Sequence, residues 1–140
     1  YYDDEYWSRP FPRWLQDPQI FIHLKEFWVV LVSAWIWGDK WRGKLVYIFS
    51  DNDAVVDTLV REKPKDTKMQ ELLREFLYVV CVKGFTPTFR KIGTKTNHEA
   101  DYISRVHNHD DIQAYAAKNL LPLRKRVEAP DHLFELHSNW

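Results

Sequence analysis

Asp51, in Ser50-Asp51-Asn52 at the end of an apolar run, and Asp101, in Asn97-His98-Glu99-Ala100-Asp101 at the start of a helical pattern, are the side chains best placed for chemistry. Glu26 joins them from near the start of an otherwise apolar helical stretch, Ile22 to Trp37. Three carboxylates on three separate elements, each at an element end or on a buried face, are how a protein builds a divalent-metal site. Magnesium takes oxygen ligands, keeps some of its waters and is commonly shared with a substrate phosphate. Two such ions about 3.5–4 Å apart activate a water and stabilise the leaving oxygen of a phosphodiester. The expectation is therefore Mg²⁺, or Mn²⁺ in its place, held by Glu26, Asp51 and Asp101, with the same three residues catalytic. Each acid taken singly has a plainer reading. Asp51 or Asn52 could cap a following helix, Glu26 could face water as a first-turn dipole partner, and Asp101 could be a surface acid. Glu26 follows Lys25 and precedes Phe27, Trp28 and Val29. If it faced only core, desolvation would demand a partner or a proton.

The elements that must carry these acids read from periodicity and punctuation. Tyr1 to Trp14 reads as a strand remnant, a polar turn, then a short edge strand or loop. Ile22 to Trp37 is a helix buried on most sides and stopped by Gly38. Lys44 to Ser50 is a strand apolar on both faces, which predicts a central position in its sheet. Asp53 to Val60 predicts a short helix closed by Pro64. From Thr67, whose spacing to Gln70 suits a capping box, Met69, Leu72, Leu73, Phe76, Leu77 and Val80 mark one apolar helix face ending at Gly84. That face predicts burial of Met69, Leu72, Leu73, Phe76 and Val80, with Lys68, Glu71, Arg74 and Glu75 outside. Phe85 to Ile92 is a second strand, and Pro87 favours an edge or a bulge. Thr96 and Glu99 repeat the capping-box spacing, so a helix starts near Asn97 with Asp101 in its first turn. Asp110 to Asn119 predicts one more helix, and Arg124-Lys125-Arg126 leads into an unassigned tail. The order predicts an α/β domain with a mixed sheet and flanking helices over residues 1–106, then a C-terminal helical extension over residues 107–140.

Composition narrows the class. The 140 residues are 45% hydrophobic and 16% aromatic, with seven Trp, which excludes a disordered chain. Trp35, Trp37 and Trp41 read as core contacts. The formal net charge is +0, so nucleic acid could be gathered only by local patches. The apolar run Phe27 to Trp37 falls well short of the ~18 residues of a membrane span, and no signal-peptide pattern opens the chain. Cys81 is the single cysteine, compatible with a reducing compartment. No initiator Met is present, which suggests a piece of something longer. Lys83, Arg90, Lys91 and Lys95 lie in a stretch without an acid, and Lys40, Arg42 and Lys44 form a second basic cluster. Such patches suit phosphate contacts, or equally a solvated face. The candidate nucleic-acid contacts are Asn52, Lys83, Arg90, Lys91, Lys95 and Asn97.

Three pieces together carry a resemblance. They are His23-Leu24-Lys25-Glu26-Phe27, Ile48-Phe49-Ser50-Asp51-Asn52-Asp53-Ala54-Val55-Val56, and Ile92 to Arg105 with its Gly93-x-x-x-Asn97-x-x-Ala100-Asp101-x-Ile103-Ser104-Arg105 pattern. Over about residues 1–105 the chain resembles the ribonuclease H domain that follows the polymerase in retroelement reverse transcriptases, DIRS-like and gypsy-like retrotransposons especially. In that family Leu stands where this chain has Ile103. The resemblance implies a ribonuclease H-like fold and hydrolysis of the RNA strand of RNA/DNA hybrids by two-metal phosphodiester cleavage. It also implies a polymerase domain of the same polyprotein as partner, no membrane, and an intracellular location in cytoplasm or nucleus. Glu26, Asp51 and Asp101 then stand for three of the family's four metal-binding acids. The fourth, an Asp on the first strand, is unmatched, because Asp3 and Asp4 fall in the hairpin after that strand. Either the N-terminal strand is truncated and lies upstream of Tyr1, or the domain is a non-catalytic ribonuclease H-like module that docks a polymerase or nucleic acid. His98, near the last acid, reads as a solvent-facing first-turn residue.

Overall fold

The computed structural model describes residues 1–16, 22–51, 67–93 and 96–135; the helix expected over Asp53–Val60, with Pro64, lies outside them. In chain order the elements are β1 (Glu5–Tyr6), α1 (Ile22–Trp37), β2 (Leu45–Ser50), α2 (Thr67–Lys83), β3 (Thr86–Lys91), α3 (His98–Arg105), α4 (His109–Lys118), β4 (Lys125–Arg126) and α5 (His132–Glu135). The α/β class therefore holds. The single mixed sheet does not: the described strands form two separate two-stranded sheets, β1 with β4 and β2 with β3, both parallel. The chain packs as two compact units, Tyr1–Pro10 with Gly93–Ala129, and Phe11–Ile92 with Pro130–Trp140. Position 106, the expected boundary, falls inside the first of these.

In the unit Phe11–Ile92 with Pro130–Trp140, α1 behaves as its composition demands. Leu24, Phe27, Trp28, Leu31, Val32, Ala34 and Trp37 are buried, and no described side chain of this helix is exposed. On α2, Met69, Leu72, Leu73, Phe76 and Val79 form the buried face. Val80 is only half-buried and Leu77 is exposed, so the face turns toward Val79 at its end. Glu71 and Arg74 are exposed as expected, whereas Lys68 and Glu75 are half-buried. The two helices meet through aromatic rings. Phe76 sits 5.8 Å from Phe27, 6.4 Å from Phe85 and 5.8 Å from Phe89, centroid to centroid. A second cluster is built on Trp28, with Phe134 at 4.7 Å, Phe11 at 5.9 Å and Trp14 at 6.4 Å. Such pairs each contribute about 0.5–1.5 kcal/mol beyond the area they bury.

The α1 and α2 ends lock together where Gly38 begins the turn after α1. A Cβ at Gly38 would lie 2.7 Å from Lys83 Cγ, so only glycine lets that stem pass. Lys83 Nζ then reaches Asp39 at 2.9 Å and lies 5.5 Å over the Trp35 ring. Gly84, at φ +76°, ends α2 in the left-handed conformation, its N–H bonded to Val80 O at 2.9 Å.

β3 tolerates Pro87 for a register reason. Thr86 N donates to Lys44 O and Ile92 N to Ser50 O, so even-numbered residues turn their N–H groups toward β2. Pro87 falls on the other parity, and no ladder bond is lost. β2 departs from expectation. Val46 is buried and Ile48 half-buried, but Leu45, Tyr47 and Phe49 are exposed, so this strand is covered on one face, not two.

In the unit Tyr1–Pro10 with Gly93–Ala129, the supposed tail is part of the fold. Lys125 and Arg126 pair with Glu5 and Tyr6, and Tyr6, Ile103 and Ile112 form a small buried cluster. Tyr102 stacks on Tyr115 at 3.9 Å. The expected capping box at Thr96 and Glu99 is not formed. The Thr96 hydroxyl donates to Gly93 O at 2.9 Å, and Glu99 pairs with Arg124 at 2.8 Å with both side chains nearly buried. Asn108 caps α4, its side chain accepting from Asp111 N at 3.1 Å. Among the described residues no helix is long and apolar enough to cross a membrane.

These packings give two expectations. Phe76→Ala should cost about 3–5 kcal/mol in urea unfolding, whereas Leu77→Ala next to it should cost under about 1 kcal/mol. Glu99→Ala should cost about 3–5 kcal/mol, because it leaves the Arg124 guanidinium buried without its carboxylate. Asp39→Ala, on an exposed carboxylate, should cost at most about 1 kcal/mol. Equal losses within either pair would contradict the packing described.

Candidate metal centre

Each of the three acids is set by its element. Glu26 lies in the early turns of α1, half-buried, immediately before the buried Phe27 and Trp28. Asp51 is the residue directly after β2, also half-buried, at the carboxyl end of a parallel strand. Open α/β sheets carry their sites at such ends. Asp101 lies in the first turn of α3, where the helix dipole favours a negative charge. Its carboxylate is 40% exposed and pairs with Arg105 one turn on, at 3.2 Å. An exposed pair of this type contributes only about 0.3–0.5 kcal/mol.

Glu26 and Asp51 belong to one compact unit and Asp101 to the other. Among the described residues, no three carboxylate, imidazole or thiol side chains are grouped to hold a metal ion. The donor set itself suits a hard cation. All three groups offer carboxylate oxygens, and magnesium sites often use only one or two such groups plus waters and substrate oxygens.

The expected nucleic-acid contacts separate into groups. Lys83 is engaged with Asp39 and Trp35, its side chain only 15% exposed. Arg90 and Lys91 end β3 exposed. Asn97 is half-buried at the N-terminus of α3, with no side-chain capping bond. Asn52 and Lys95 lie outside the described residues. His98 is exposed, as read from the sequence. In the run Arg124 to Arg126, Arg124 is half-buried while Lys125 and Arg126 are exposed. Arg124 pairs with Glu99, and Arg126 donates to the carbonyls of His107 and Ser8 at 2.9 and 3.1 Å.

A polar cluster in the same unit was not expected. The Tyr6 hydroxyl bonds His109 Nδ1, and the two rings stack at 5.8 Å. Ser8 Oγ, buried, donates to Ile103 O at 2.7 Å and lies 2.7 Å from His107 Nδ1. The i, i+2 spacing of Tyr6 with Ser8 and of His107 with His109 is the only trace of this in the sequence. Burial, and then the Arg126 guanidinium, hold His107 below the ordinary imidazole range. Burial pushes the Tyr6 phenol up, with Arg126 opposing and Asp110 and Glu128 adding to the rise.

Comparison with known proteins finds no matching family model, no matching curated protein and no matching solved structure.

The His107 environment has a consequence for acid stability. The folded chain keeps His107 neutral further into acid than the unfolded chain does, so the unfolded state binds more protons between the two values. The contribution is complete above about pH 6.5 and is lost as pH falls through the folded value. Urea midpoints should therefore drop as pH falls below about 6.5. His107→Gln should flatten that slope. An unchanged slope would assign the acid sensitivity to other groups.

Proposed function

We propose that this chain is a ribonuclease H-like domain of the kind found in retroelement reverse transcriptases, acting on the RNA strand of RNA/DNA hybrids with Mg²⁺ or Mn²⁺. The observation that carries the proposal is the ordered set of acids with their flanks. Asp51 in Ser50-Asp51-Asn52 leaves the carboxyl end of β2, and Asp101 opens α3 inside Ala100-Asp101-Tyr102-Ile103-Ser104-Arg105. Glu26 on α1, in the same unit as Asp51, supplies the third. The α/β class and the parallel β2–β3 pair are compatible with the reading.

In this reading Glu26, Asp51 and Asp101 hold the ions. Bound Mg²⁺ would supply an activated water and charge neutralisation at the leaving oxygen. The chain's own contribution is to fix the three carboxylates on α1, β2 and α3, and to offer Arg90 and Lys91 to the substrate backbone. The hybrid would be recognised largely by shape and by its 2′-hydroxyls. The polymerase domain of the same polyprotein is the proposed protein partner.

The second reading is a non-catalytic module that docks a polymerase or nucleic acid. One experiment separates the two. The 140-residue chain alone should cleave a labelled RNA/DNA hybrid little in Mg²⁺. Joined to an upstream apolar strand bearing an Asp, it should cleave faster by orders of magnitude, and Asp51→Asn should then abolish cleavage. An extended chain that stays inactive favours the module, and one indifferent to Asp51→Asn would mean that the wrong residues have been assigned.

A further inference from the structure

The exposed face of the β2–β3 pair carries aromatic rings that hybrid cleavage does not use. Residues paired across a parallel ladder share a face, and successive residues alternate. The register Leu45↔Thr86, Tyr47↔Thr88 and Phe49↔Arg90 therefore puts these six side chains on one side. The other side carries Val46, Ile48 and Phe89, where Phe89 packs on Phe76. On the outer side Leu45 is 55% exposed, Tyr47 54% and Phe49 58%. The Tyr47 and Phe49 rings run nearly parallel, 23° apart in plane and 6.5 Å between centroids. The Arg90 guanidinium lies 6.0 Å from the Tyr47 centroid.

We propose that this face is a stacking platform for single-stranded nucleic acid. Two adjacent exposed rings on a strand offer π-faces to successive unpaired bases, the contact by which sheet platforms and single-strand grooves hold their ligands. Charge agrees with that occupant. No carboxylate occurs from Lys44 through Ser50 or from Phe85 through Ile92, and Arg90 puts a cation on this face. Arg90 lies over the Tyr47 ring, where it can meet the phosphate of a base held on the platform, and the Thr86 and Thr88 hydroxyls can bond phosphate or a 2′-hydroxyl. A duplex is excluded as the occupant of this face, since its bases are already stacked on each other. The site shares Arg90 with the contacts proposed for the hybrid backbone, adds the two rings, and needs no metal.

The test is fluorescence anisotropy of the whole chain with labelled oligo-dT and oligo-U of about 12 nucleotides, within the range one such site covers, in EDTA so that metal chemistry plays no part. Both should bind, with affinity falling steeply as salt rises. Tyr47→Ala and Phe49→Ala should each weaken binding roughly tenfold, the loss of one base stack. Tyr47→Phe should leave binding near its starting value, and Tyr47→Leu, which keeps bulk without a ring, should behave as Tyr47→Ala. Arg90→Gln should reduce the salt slope by about one. Equal affinities for the two oligomers would assign binding to stacking and phosphate, and a preference for oligo-U would add the 2′-hydroxyl; both support the platform. Tyr47 and Phe49 are more than half exposed and Arg90 is exposed, so circular dichroism should show all variants folded. Absence of binding to either oligomer, or binding that survives loss of both rings, would overturn the proposal. Concentration-dependent self-association abolished by Tyr47→Ala, without oligonucleotide binding, would overturn it in favour of a contact between copies.

Discussion

One ring, Phe76, decides how the elements of the unit Phe11–Ile92 with Pro130–Trp140 meet. It touches Phe27 on α1 and Phe85 and Phe89 at β3, so a helix pair and a strand share a single aromatic joint. The candidate residues inherit their positions from it. Glu26 directly precedes Phe27, Arg90 directly follows Phe89, and Ile48, the ladder partner of Phe89, lies three residues before Asp51. A close-packed interior passes on small displacements instead of absorbing them. Loosening this joint would therefore move Glu26 and Asp51, which belong to the same unit. Gly38 with Lys83 and Asp39 fixes the far end of the same helix pair.

The unit Tyr1–Pro10 with Gly93–Ala129 is held differently. Its buried apolar cluster joins Tyr6, Ile103 and Ile112, with Tyr102 and Val106 packed against it, and among the described residues Trp7, Ala116 and Ala129 are also buried. Polar links supply the definition that a large core would otherwise give. Ser8 bridges Ile103 and His107, Arg126 ties His107 to Ser8, and Arg124 joins Glu99 to the Asp3 carbonyl. Buried polar groups cost more when left unpaired than they contribute when paired, so these links specify one arrangement more than they deepen stability. They also join residues roughly a hundred positions apart, contacts whose loop-closure entropy slows folding.

What the sequence made legible follows from how local each signal is. α1 and α2 were readable because an apolar stripe at helical spacing needs no partner to be seen, and even the shift from Val80 to Val79 stays within that stripe. Strand β3 was readable despite Pro87, whose parity in the ladder no local rule could give. β2 misled because Leu45 to Phe49 is apolar on both parities, and the pattern alone cannot say that one face stays open. The Thr96–Glu99 spacing misled because a distant Arg124, in a stretch with no periodicity, competes for the glutamate. The β1–β4 pairing was invisible for the same reason: two-residue strands have no period. At the candidate site, Asp51 and Asp101 were found at element ends as read. Lys83 instead closes on Asp39, a contact that depends on the turn at Gly38.

The proposed ribonuclease H-like function has Glu26, Asp51 and Asp101 serving a divalent metal. Paramagnetic Mn²⁺ added in small amounts to the ¹⁵N-labelled chain tests it most directly, because line broadening falls off steeply with distance from the ion. The account predicts that the amides around Glu26, Asp51 and Asp101 broaden together at the lowest ion concentrations, and that excess Mg²⁺ restores them. Broadening at only one of the three, or at none before general surface binding sets in, would contradict a shared site.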